Sequence, residues 1–124
     1  MKTFTSILAA AAIAWTMGAT ASAKTMTVKG RVVDEGCQVK ELIKGGDLKA
    51  PTEMDACAVQ CAKRGEPLAL LTADGKVYRI AGGLAENKNA KLVEHVNHTV
   101  EITGDVSEKD GNVIIVADAL KTAE

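Results

Sequence analysis

Aromatic side chains are almost missing from this 124-residue chain, which holds one Phe, one Trp and one Tyr. Phe4 and Trp15 fall within the first 23 residues, so Tyr78 is the sole Phe, Trp or Tyr in everything that follows. A nucleic-acid binder that works by stacking bases on rings is therefore excluded on its main energetic term. Positive charge is also lacking. Residues 1–23 carry Lys2 and no acid, leaving 14 basic against 16 acidic residues beyond them, and no excess remains to neutralise a polyanion. The length suits one small domain and rules out two.

What is present begins with a leader. Residues 1–23 show a short basic start at Lys2, an apolar run over residues 7–15, and a small-residue end at Ala21, Ser22 and Ala23 that fits an A-x-A cleavage site. A spanning helix needs roughly 20 predominantly apolar residues, and Thr16, Gly18, Thr20 and Ser22 interrupt this run. The expectation is a signal peptide over residues 1–23, cleaved to leave Lys24 first, and a domain at 24–124. No later apolar stretch approaches spanning length, so stable membrane insertion after cleavage is not expected. The predicted destination is a bacterial periplasm or the outside, an oxidising space.

Residues 25–34 alternate, with Met26, Val28 and Val32 on one face and Thr27, Lys29 and Arg31 on the other, which predicts a strand. Gly30 in its middle suits a bend of the kind a closing barrel requires. Gly45, Gly46 and Pro51 then break the chain ahead of a helix predicted over 53–64, with Thr52 as N-cap, Asp55 three residues later and Gly65 as its stop. Met54, Cys57, Ala58, Cys61 and Ala62 form its apolar stripe, so both cysteines are expected to face the body of the domain. Residues 68–72 and 76–81 flank Asp74-Gly75, a tight-turn pair, and predict a hairpin. A short helix follows over 87–96, with Leu92 and Val96 inward. Residues 99–106, the Asp110-Gly111 turn and residues 113–116, extended to 120, make a second hairpin. Strand, helical loop, strand, strand, short helix, strand, strand is the element order of a five-stranded OB-type barrel; a meander sandwich is the alternative.

Catalytic constellations are scarce. Ser107, the one serine after the leader, is placed in a hairpin turn with no His nearby in sequence, and Gly82-Gly83 lacks the Lys or Ser/Thr of a phosphate loop. Asp34, Glu35 and Asp105 read as solvated strand-end acids. Tyr78 reads as a strand residue packing part of its ring.

The chemistry concentrates in three cysteines. Cys57 and Cys61 are one helical turn apart and point the same way, an arrangement poor for bonding each other but good for reaching a common partner. A disulfide from Cys37 to either would close 20 or 24 residues and contribute roughly 3 kcal/mol. The thiol left over would be buried and inert, or would exchange with the bridge. Alternatively all three are reduced and hold Cu(I) or Zn(II), with Met54 as a thioether and His95 or His98 as an imidazole. In an OB barrel the first and fourth strands are adjacent, which would bring His98 toward Cys37. The three-residue spacing and the lack of a following His exclude a thioredoxin or c-type haem motif.

Gly30-Arg31-Val32-Val33-Asp34 with Cys37, Cys57-Ala58 with Cys61, Gly65 and Pro67, Asp74-Gly75-Lys76-Val77-Tyr78, and residues 100–104 with Asp110-Gly111 together resemble small exported bacterial OB-fold-like proteins of uncharacterised function. The resemblance runs from about residue 26 to 120 and implies compartment and fold, not activity. Some sequences of that kind carry a His where this one has Met54; if that His is a ligand, the change weakens a zinc reading and leaves copper less affected. The expectation is a non-enzymatic exported OB-fold binding or accessory module, stapled by a disulfide and without a cofactor. Its partner would be a periplasmic or extracellular protein or a small ligand, and not nucleic acid. The competing expectation is a metal-binding or thiol-redox protein built on Cys37, Cys57, Cys61, Met54 and His98.

Overall fold

The computed structural model describes residues 24–123, so the leader expected over residues 1–23 lies outside the described residues. The strands are β1 (Lys24–Asp34), β2 (Leu68–Leu71), β3 (Val77–Ala81), β4 (Thr99–Lys109), β5 (Asn112–Val116) and β6 (Leu120–Thr122). They pair in the order β1-β2-β3-β5-β4-β6, and an additional β1–β4 pairing closes the first five into a barrel. The β3–β5 pair is parallel and every other pair is antiparallel. This is the mainly β, five-stranded OB-like barrel that the element order predicts, with β6 added alongside β4.

Closure depends on β1 serving two partners. It pairs with β4 from Lys24 to Arg31 and with β2 from Arg31 to Asp34. Gly30 sits where that exchange happens, and a Cβ there would stand 2.6 Å from the Leu71 carbonyl oxygen, so only glycine permits the approach. Up to Lys29 only Val28 of β1 is buried, and Met26, expected on the inner face, is exposed, whereas from Gly30 to Asp34 every residue is buried, Arg31 included. Val32 points into the barrel with Leu70, Ile80, Val100, Ile102 and Ile115, while Val33 packs outside it with Val39, Leu42, Ala69 and Leu71.

That second cluster exists because of a helix the sequence reading missed. α1 (Cys37–Gly45) lies on the outer face of β1 and β2, burying Gln38, Val39 and Leu42. Its C-terminus is closed by Gly46 at φ 76, whose N–H donates to the Ile43 carbonyl. α2 (Asp55–Lys63) is the predicted loop helix, and its Ala58 and Ala62 belong to the barrel core. The N-cap is Met54 rather than the expected Thr52, which lies two residues ahead of it, its hydroxyl accepting from Met54 N at 3.2 Å and donating to Asp55 at 2.7 Å.

The helix expected over 87–96 is broken instead. α3 (Glu86–Asn89) is a single turn with left-handed Asn87 and Lys88, and a separate 3-10 turn spans Val93–His95. Leu92 and Val96 are nonetheless buried as expected, because core contacts rather than helix continuity fix them. Ser107 falls within β4 opposite Ile114, not in a turn, since β4 runs on to Lys109 before Asp110 and Gly111 reverse the chain at positive φ. The final strand likewise stops at Val116 and restarts at Leu120. The intervening Ala117 exchanges main-chain hydrogen bonds with Ala81 and Leu84. Tyr78 is 5% exposed within the core, with Lys76 Nζ 5.0 Å from its ring centroid.

Candidate functional site

α2 is held at its two ends by different chemistry. At its N-terminus Arg31 Nη2 donates to Asp55 Oδ1 at 2.9 Å, and Nη1 donates to the Ala50 carbonyl at 2.8 Å. Gln38 Nε2 donates to Asp55 at 2.8 Å and to Asn97 Oδ1 at 2.5 Å, while Asn97 Nδ2 donates back to the Asp55 carbonyl at 3.1 Å. Burial would raise the Asp55 carboxyl, but the bonds from Thr52 and Gln38 and the Arg31 charge outweigh it and hold the group below the usual carboxylate range. This knot ties α1 to the start of α2.

Along its flank, from the Met54 N-cap to Glu66 beyond its C-terminus, α2 borders a cavity of about 400 Å3 whose lining also includes Cys37, Cys57 and Cys61 together with Asp34, Glu35 and Arg79. Cys37 arrives as the first residue of α1, its N–H donating to Asp34 Oδ2 at 3.1 Å. Asp34 is itself buried, contrary to its reading as a solvated strand end, because α1 folds back over β1 and Gln38 Oε1 takes the Asp34 N–H at 2.9 Å. The chain after α2 turns back on itself: Gly65, at φ 86, donates to the Ala62 carbonyl, and Glu66 N donates to the Cys61 carbonyl. That turn brings Glu66 beside Cys61. Donor atoms of Asp34, Cys61 and Glu66 all lie within 4.8 Å of one another.

The sulfurs differ in access. Cys61 is buried and Cys37 and Cys57 are exposed, and all three are free. The expectation that both α2 cysteines face the domain thus fails for Cys57, because Ala58, Cys61 and Ala62 occupy the barrel-facing arc and leave Cys57 on its flank. The expected disulfide staple is not formed. Cys57 Sγ and Cys61 Sγ are 4.0 Å apart, far beyond a bond of about 2.05 Å, as side-by-side positions on one helical turn dictate.

Burial, the Glu66 carboxylate and neighbouring Cys57 push the Cys61 thiol up to about 11. Arg64 Nη2 donates to Cys61 Sγ at 3.2 Å and pairs with Glu66 at 3.3 Å. Arg79 and Glu35, also in the lining, form a two-pronged ion pair at 2.7 and 2.6 Å.

Four of the five residues proposed as metal ligands from sequence therefore line one cavity; His98 does not. β1 leaves β4 at Arg31 and continues along β2, so Cys37 is carried toward Pro67, while the His98 carbonyl accepts from Val32 N at 3.0 Å. Asp34, Glu66 and Arg64 were missed as site residues. The one available signal was Gly65, which marks a helix end that folds the next side chain back. No protein-family model, curated protein or solved structure matches this chain.

Proposed function

We propose that the protein is an exported, non-enzymatic module that binds a thiophilic metal ion, Cu(I) or Zn(II), through the thiols of the Cys37, Cys57 and Cys61 cavity, with Met54 as an added thioether for copper. The observation that carries this is the sulfur spacing. A tetrahedral zinc with Zn–S bonds of about 2.3 Å separates its sulfurs by about 3.8 Å, and Cys57 and Cys61 stand 4.0 Å apart on the wall of a cavity that Cys37 and Met54 also line. Cys37 and Cys57 are exposed at the opening, which gives an ion a way in.

A second reading, favoured by that same exposure in an oxidising compartment, is a disulfide-stapled binding module for a protein or small ligand. Native intact mass of protein purified without reductant, followed by alkylation under denaturing conditions, separates the two. The metal reading expects one metal adduct and three alkylatable cysteines. A mass short by two hydrogens, one alkylatable cysteine and no metal taken up after reduction would replace it with the staple.

A further inference from the structure

The donors around Cys61 are not all sulfur, and this bears on which ion the cavity takes. Asp34 ends β1, Cys61 belongs to α2, and Glu66 closes the turn after it, so donor atoms from three segments lie within 4.8 Å of one another, and the Cys57 thiol stands 4.0 Å from that of Cys61. Resting on the thiol-site reading above, we infer that the ion is a divalent cation of zinc type, held by Cys57, Cys61, Asp34 and Glu66.

Cu(I) is soft and gains nothing from carboxylates, whereas Zn(II) accepts thiolate and carboxylate oxygen in one tetrahedral shell. Two thiolates and two carboxylates also gather four negative charges, which a divalent ion offsets twice as far as a monovalent one, with the Arg64 guanidinium against Cys61 and Glu66 offsetting one more. The supports expected around such a shell are in place. The Cys37 N–H orients the Asp34 carboxylate at 3.1 Å, and Arg64 reaches both Cys61 and Glu66. The 4.8 Å limit on the Asp34, Cys61 and Glu66 donor separations exceeds the roughly 3.5 Å of a closed tetrahedron, so binding an ion requires these side chains to draw together. Asp34 and Glu66 thus supply the harder donors that Met54 does not.

The test is competition of the reduced protein against a chromophoric chelator for Zn(II) and, separately, against a Cu(I) chelator. Glu66→Gln and Asp34→Asn are each expected to weaken Zn(II) binding about 10-fold or more and to leave Cu(I) binding unchanged. Asp34 also anchors α1, so far-UV circular dichroism accompanies that variant, and Glu66→Gln, at an exposed position, carries the test if Asp34→Asn unfolds. Unchanged Zn(II) affinity in Glu66→Gln, or equal loss of both metals, overturns the inference and leaves the thiol reading standing. Wild-type protein that binds neither metal, or Cys57→Ser that binds both as well as wild type, overturns the thiol reading itself.

Discussion

The two ends of α2 handle polar atoms in opposite ways. Around its N-terminus Arg31, Gln38, Asp55 and Asn97 satisfy one another, and Arg31 Nε is the one buried side-chain nitrogen or oxygen without a partner among the described residues. Toward its C-terminus, donors of one potential sign, Cys61, Asp34 and Glu66, crowd together with Cys57 one turn back from Cys61, and the Cys61 thiol is pushed up to about 11. The first arrangement is satisfied within the chain save for Arg31 Nε, and it fixes helix positions. The second has the Arg64 guanidinium against Cys61 and Glu66, and perturbed groups gathered in this way occur mainly at functional sites, which is what the proposed cation site would use.

The sharpest way to break this comparison is to damage the N-terminal end and ask whether the other notices. Arg31 is 7% exposed and pairs with an Asp55 carboxylate that is 27% exposed. Removing one member of such a pair strands the other, and Arg31→Met is expected to lose about 3 kcal/mol in urea denaturation. Folded Arg31→Met protein is expected to keep its metal affinity. A folded variant that fails to bind would mean that the two ends form one unit.

The same contrast explains what could be read in the sequence. Strands, Asp-Gly turns and the bend at Gly30 are local patterns and appear where expected, but the α2 stripe loses Cys57 to solvent, and β1 departs from period two, with Met26 exposed and Arg31 buried. α1 was hidden because its apolar face amounts to Val39, Leu42 and Ile43 and its anchor is Asp34, three residues before Cys37, in place of a Ser or Thr cap. Gly46 was read as a break when it is the helix's left-handed stop. The sulfur cavity was half legible. Helical spacing brought Cys57 and Cys61 together, but Cys37 reaches them only because β1 exchanges β4 for β2, and that is tertiary information. The same exchange removes His98.

A smaller effect is expected from the crowded end when the metal-free, reduced protein is made alkaline. The folded state raises the Cys61 thiol from 9.0 to about 11, so it favours the protonated form. The stabilisation is fully present below pH 9 and is lost as pH rises toward 11, amounting to less than about 3 kcal/mol in all. Wild-type stability measured relative to Cys61→Ala should fall through that window. A difference that stays flat would mean that the crowding around Cys61 is relieved in solution without a cation.

The smallest stability effect separates holding the fold together from holding a ligand. Cys57 is exposed on the flank of α2 and contributes no buried surface to the barrel, so Cys57→Ser is expected to change the urea midpoint of the reduced protein by no more than about 0.5 kcal/mol. Its metal affinity should nevertheless collapse, because a hydroxyl is a poor substitute for the thiolate opposite Cys61. In a protein stapled through Cys57 the order reverses, with the oxidised form losing roughly 3 kcal/mol and no metal phenotype appearing. A silent stability measurement beside a lost metal thus assigns Cys57 to the site and leaves the fold to the knot at the other end of the helix.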